Sequence, residues 1–170
     1  MLKAPFIQLA RTAVPVTLLM LVAGCVPDSK GGGGGKGVGA PPSLVRPTTM
    51  FMAAQSPRDT NNNGYLDTCV VTVYLFQSDY ARSVQSTGTY TFTLLGRGGK
   101  VLRTWELTSP GPNIASVNAG VGPGYVIKIS MLEGGTDEMP SQSVDIAAVF
   151  TDPQGNRVEA TPATVFMGRV

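Results

Sequence analysis

The sequence predicts an all-β domain, an antiparallel two-sheet sandwich of about seven strands, behind a disordered N-terminal tether. Three observations carry that expectation. From residue 69 onward apolar residues return at every second position, the mark of a strand with one face buried. Beyond residue 25 no stretch sustains a helical apolar period, and glycine and proline, 21 and 13 residues in all, interrupt each candidate. Turn-forming segments separate the alternating runs at short spacing, which favours two stacked sheets over a closed barrel.

The candidate strands are 69–77, 88–96, 100–107, 124–132, 143–151 and 157–167, with a weak short one near Ile114. In "GTYTFTLLG", Tyr90, Phe92 and Leu94 share one face while Thr89, Thr91 and Thr93 share the other. Tyr125, Ile127, Ile129 and Met131 alternate in the same way, as do Val144, Ile146, Ala148 and Phe150. Cys69 has the parity of Val71, Val73 and Leu75, so it reads as a small core residue, and Trp105 as a core aromatic. "TDPQGN" at 151–156 predicts a hairpin, because proline presets the second turn residue and glycine takes the left-handed position. "LLGRGGKVL" predicts another, and Pro162 either interrupts the last strand or marks it as an edge. "TMFMAA" at 49–54 reads equally as an edge strand or as an apolar patch within the tether.

Ahead of these strands, Lys3 and Arg11 precede an apolar run too short to span a bilayer, the pattern of an export signal. Its end, Val22, Ala23, Gly24 and Cys25, resembles the bacterial lipobox. That resemblance implies diacylglyceryl transfer to the Cys25 thiol, cleavage between Gly24 and Cys25, and acylation of the freed amine, with membrane lipid as the partner. One acyl chain holds only marginally and two or more anchor stably, each buried methylene contributing about 0.8 kcal/mol. The expected organisation is a signal at 1–24, a tether at 25–56 whose part 44–56 is an alternative edge strand, and the sandwich at 57–170. A glycine-rich coil of about thirty residues reaches roughly 30 Å, so the domain would swivel just above the membrane.

Loss of Lys3 and Arg11 with the signal leaves 11 basic against 11 acidic residues. A neutral chain without a basic block excludes nucleic acid as partner, since phosphate binding needs clustered Lys and Arg. With Cys25 taken by lipid, Cys69 has no partner for a disulfide.

The chain has no histidine, which removes Ser-His-Asp and Cys-His catalysis and the usual zinc and copper ligand sets. "EGGTDEMP" groups Glu133, Asp137 and Glu138, readable as an acid and base pair but better as a solvated loop without an apolar neighbour to raise a pKa. Tyr65 and Tyr80 fall in expected loops and could present aromatic surface to a sugar. "DTNNNGYLD" places oxygen donors at Asp59, Asn61, Asn63, Tyr65 (through its carbonyl) and Asp67, with Gly64 at the tight turn, the alternate spacing of a calcium loop. The twelfth position of such a loop would be Val70, not a glutamate. The same residues serve as backbone-bonding turn formers, so calcium and turn stand as alternatives.

The segment "VDIAAVFTDPQGNRVEATPATVFM" resembles the terminal hairpin of bacterial immunoglobulin-like and fibronectin-type domains. The whole chain is similar to small bacterial lipoproteins carrying one such domain behind a glycine-rich tether. The resemblance implies an immunoglobulin-like β-sandwich without the paired cysteines, and no active site. The expected function is a non-enzymatic, membrane-anchored envelope lipoprotein serving binding or structure, with an envelope protein or a glycan as partner. Its alternative is a carbohydrate-binding or adhesion module at the cell surface. Val26 and Pro27 follow the cysteine in place of an aspartate, which by resemblance to the bacterial sorting rule implies the outer membrane.

Overall fold

The structure, a computed structural model, describes residues 45–170. The signal, Cys25 and the glycine run lie outside the described residues. Among the described residues ten strands form, in chain order β1 (Thr49–Ala54), β2 (Tyr65–Leu66), β3 (Thr68–Phe76), β4 (Gly88–Leu95), β5 (Val101–Ser109), β6 (Ile114–Ala119), β7 (Gly122–Ser130), β8 (Gln142–Thr151), β9 (Arg157–Glu159) and β10 (Ala163–Arg169). One sheet has the order β1-β3-β7-β6; the other runs β2-β10-β8-β4-β5, with β9 also paired to β8. Every pairing is antiparallel.

The period-two pattern has its expected consequence. Cys69, Val71, Val73 and Leu75 of β3 are fully buried, and Tyr125, Ile127 and Ile129 of β7 lie beside them. From the other sheet Tyr90, Phe92 and Leu94 of β4 and Val144, Ile146, Ala148 and Phe150 of β8 face the same core. The Tyr90 ring stands 4.9 Å from Phe150 within its own sheet and 5.6 Å from Tyr125 across the core. Each such side chain taken from water stabilises the fold by about 1.5–3 kcal/mol.

Sheet-to-sheet links are polar as well as apolar. Trp105 of β5 is buried and its indole N–H donates to the Ser130 carbonyl at the end of β7, 3.0 Å away. Arg103, two residues back along the same face, donates to the Met131 carbonyl.

The segment 49–54 is the edge strand β1, in register with Phe76–Val71 of β3, so the domain begins ahead of residue 57. Met50 and Met52 enter the core and Phe51 faces out. The weak signal near Ile114 is a full six-residue strand; it reads weakly because this edge strand buries no residue completely. The last predicted strand is split at Pro162, with β9 ending at Glu159 and β10 starting at Ala163, since proline has no N–H for the ladder. The "TDPQGN" hairpin joins β8 to β9. Asp152 caps it by accepting from the backbone of Gln154 at 2.9 Å and Asn156 at 2.8 Å, and Gly155 takes φ +84°.

Among the described residues one buried side-chain polar atom lacks a hydrogen-bond partner, the Tyr90 hydroxyl. Burial pushes its pKa well above the ordinary tyrosine value, with the Tyr125 hydroxyl adding to the shift. A buried hydroxyl without a partner costs about 1–3 kcal/mol. Tyr90→Phe is therefore expected to leave the domain as stable or to raise its urea midpoint, whereas an ordinary core tyrosine would lose stability on the same change.

Candidate functional site

Residues 59–67 and the loop after β7 meet at the end of the domain where β3 starts. Asp67 precedes β3, and its backbone clamps the neighbouring segments: its N–H donates to Arg58 O at 3.0 Å and its carbonyl accepts from Met131 N at 2.8 Å. Its side chain is fully buried. The carboxylate accepts from Thr60 N at 3.0 Å, from the Thr60 hydroxyl at 2.7 Å and from the Thr68 hydroxyl. The Thr68 and Ser130 hydroxyls are 3.0 Å apart, and Ser130 Oγ accepts Leu132 N, which extends the network to β7. Burial alone would raise the Asp67 carboxyl, but hydrogen bonds from Thr68, Thr60 and the backbone of Thr60 and Asn61 outweigh it and hold the pKa below the usual carboxylate range.

Outside this buried carboxylate the loop turns on its own side chains. Asp59 accepts from Gly64 N at 2.8 Å and Asn63 N at 3.3 Å. Asn61 Oδ1 accepts from Asn63 N at 3.2 Å, and Asn63 Oδ1 from Tyr65 N at 3.1 Å. Gly64 sits at φ +85° with open space where a Cβ would be, so backbone angle and not crowding requires glycine there. Asn62 at φ +59° shares the left-handed region that asparagine tolerates.

Of the five positions expected to coordinate calcium, the structure gathers Asp59, Asn61, Asn63 and Tyr65 in one turn and directs the Asp67 carboxylate elsewhere, into the domain. The physical reason is that a buried carboxylate needs its lone pairs filled, and Thr60 and Thr68 fill them. In its place stands a residue from outside the 59–67 motif. Asp137 is only 5% exposed, and its Oδ2 accepts from the side-chain amides of both Asn61 and Asn63 at 3.0 Å. It comes from "EGGTDEMP", read above as a solvated loop. That reading holds for Glu133 and Glu138, which are exposed, Glu133 accepting from Asn113 Nδ2 at 3.3 Å. Asp137 is separated from its partners by 74 and 76 residues, and no local pattern joins them. Among the described residues no three His, Cys, Asp or Glu side chains form a metal-ligand group.

The two candidate tyrosines do not form one platform. Tyr65 pairs with Arg169 at the start of β3, and Tyr80 follows the end of β3, half-buried against the core. The nine residues of β3 separate them by roughly 30 Å. Cys69 is fully buried, with its thiol donating to Gln55 O at 3.2 Å, and burial pushes its pKa up to about 11. It is an inert core thiol at neutral pH.

No protein-family model matches the chain, and a search of curated proteins finds none similar to it.

Because Asp67 has a depressed folded-state pKa, it contributes stability in full above the ordinary carboxylate value of about 3.9 and loses it as pH falls through the folded-state pKa. Asp67→Asn keeps the shape and removes the charge that strengthens these hydrogen bonds. It is expected to cost about 2 to 3 kcal/mol at pH 7. Urea titrations across pH should show the two proteins converging in stability toward low pH, where the native carboxyl is itself protonated. A constant difference at every pH would assign the loss to shape alone.

Proposed function

We propose that the chain is a lipid-anchored lipoprotein of the bacterial cell envelope, sorted to the outer membrane, whose domain is an immunoglobulin-like sandwich serving binding or structure without catalysis. The observation that carries this is Val22-Ala23-Gly24-Cys25 at the end of a short apolar run, followed at once by a glycine-rich segment. Anchoring chemistry requires that one nucleophilic thiol on an uncrowded stretch of chain. The strand orders support the immunoglobulin-like reading. With β1, β3, β7 and β6 taken as strands A, B, E and D, the strands β10, β8 and β4 fall on G, F and C, and β5 on an added edge. The domain departs from the antibody pattern in that Cys69 lies on the B-like strand with no cysteine opposite on β8.

Replacing Cys25 with serine removes the only atom able to carry the thioether at that point. Cells fed labelled palmitate should label the native protein and not Cys25→Ser, and the variant should leave the processed membrane-bound pool. Continued labelling of the variant would overturn the anchor. Recovery of the native protein in purified inner membrane would overturn the sorting.

A second reading has one observation in its favour, the buried Asp137 facing two asparagine amides. A cation taking the place of those amide hydrogens would draw the Asn61 and Asn63 Oδ1 atoms, now accepting from Asn63 N and Tyr65 N, toward the Asp137 carboxylate. Asp59, Asn61, Asn63, the Tyr65 carbonyl and Asp137 would make a weak calcium clip of the millimolar to submillimolar extracellular class. Calcium at ten times its dissociation constant would then stabilise the domain by about 1.4 kcal/mol. Thermal melts with calcium or with chelator test it: the midpoint should rise with calcium in the native chain and not in Asp137→Asn. Identical native midpoints would leave the hydrogen-bonded turn as the whole explanation of the motif.

A further inference from the structure

An antiparallel sheet with one face in the core ordinarily turns polar side chains to water on the other. The β1-β3-β7-β6 sheet does not. In its four strands Lys128 is the only charged residue. Phe51, in register with Tyr74, is 56% exposed, and Val121 is 49% exposed. The Tyr74 ring lies over Gly124, so close that a Cβ there would come within 2.5 Å of it. Phe51, Tyr74, Phe76, Ala119 and Val121 line one shallow apolar depression.

These side chains gather at one end of the sheet. Thr49 is the partner of Phe76, and Ala119 of Gly122, so the first residues of β1, the last of β3 and the β6–β7 turn lie together. Ser83 fixes that turn by donating to the Val121 and Pro123 carbonyls. This is the end at which the chain arrives from its glycine-rich segment. Lys128 lies toward the other end, in register with Val70 near the start of β3.

We propose that this apolar end of the sheet rests on the lipid surface in which Cys25 is anchored, a step that builds on the anchor reading above. Residues 26–44 separate Cys25 from the start of the described domain, and a glycine-rich coil of that length has a reach of roughly 25 Å. The anchor thus holds the patch within one domain diameter of the bilayer at high effective concentration, where a weak apolar contact suffices. Aromatic side chains suit the headgroup boundary. The mature chain is neutral, so it meets no electrostatic barrier at an anionic surface. A second copy fits the patch less well, since a stable interface draws roughly 20–30 residues from each partner and this patch offers five large or small apolar ones.

The test restores the tether without the cell's processing. The chain from residue 25, made without lipid, is coupled through the Cys25 thiol to maleimide-headgroup phosphatidylethanolamine in phosphatidylglycerol vesicles; Cys69, buried in the core, does not compete. Amide exchange at Met50–Met52 and Ala119–Gly122 should slow about tenfold on coupling, the effect of withdrawing one half-exposed aromatic ring from water. Phe51→Asp combined with Val121→Asp should restore the free rate with an unchanged melting midpoint, since both side chains are exposed. Exchange unaffected by coupling would overturn the proposal, as would slowing that survives the double substitution. Slowing in concentrated protein without vesicles would overturn it in favour of a second copy. Palmitate labelling of the native chain reports on the anchor independently, so the two readings can fail separately.

Discussion

The Asp67 carboxylate is the constraint on which this end of the domain is built. A charge removed from water is tolerable only when the protein replaces its hydration shell, and here two threonine hydroxyls and a backbone amide do so. The donors come from two pieces of chain: Thr60, with its hydroxyl and its N–H, fixes where the 59–67 loop starts, and Thr68 fixes the first residue of β3. Through Ser130 the network reaches the end of β7, and the Trp105 indole bonds the Ser130 carbonyl from the opposite sheet. One carboxylate therefore sets the register of a loop against two strands, and the strands against the other sheet. Polar networks of this kind add specificity more than net stability, because a slipped register would strand the charge without partners.

The two ends of the aromatic core show the same economy in opposite forms. Tyr125 places its hydroxyl between the Ser86 backbone N–H and carbonyl, so its polar tip is satisfied. Tyr90, at 5.6 Å from it, has the same ring and no partner. The ring of Tyr90 is packed against Phe92 and Phe150 as well, and dispersion across those faces offsets the cost of the stranded hydroxyl. Among the described residues, the core thus tolerates one unsatisfied group where packing is densest.

What the sequence made legible follows from the range over which each signal acts. Alternation is a property of a few consecutive residues, and it located β3, β4, β7 and β8 to within a residue or two because each buries one full face. The turn at Asp152–Asn156 is equally local, with proline, glycine and aspartate all within five positions. The same logic explains the faint signal of β6, whose outward and inward faces are both partly wet, and the ambiguity of β1, whose outward Phe51 is as apolar as its inward methionines. Asp137 was illegible for a different reason: its partners are asparagines in another loop, and nothing in "EGGTDEMP" distinguishes the one buried carboxylate from its two exposed neighbours. For Asp67 the sequence leaves calcium ligand and turn former as alternatives, because the alternating oxygen pattern of a cation loop and the side-chain-to-backbone pattern of a turn use the same residues. Only burial separates them, and burial is set by Thr68 and Ser130 on strands that meet in space.

These residues also give the domain a direction. At the end where β3 begins stand the Asp67 network, the asparagine turn, Asp137 and Val170, whose N–H donates to Gly64 O. At the end where β3 finishes stand Phe51 and Phe76, on strands without a charged residue, and Val121 in the β6–β7 turn, with Asp79 and Arg82 in the loop that follows β3. A sheet whose polar and apolar surfaces were divided between its two faces would need only a core. Here the outer face of one sheet is divided along its length instead, with its one lysine toward the polar end. Folding does not require that gradient, since the core is complete without Phe51 or Val121 and both remain half in water. Its cost is exposed apolar surface on a strand edge, which invites pairing with other chains. A surface that brings such a liability and no folding benefit is what the proposed lipid contact would cover.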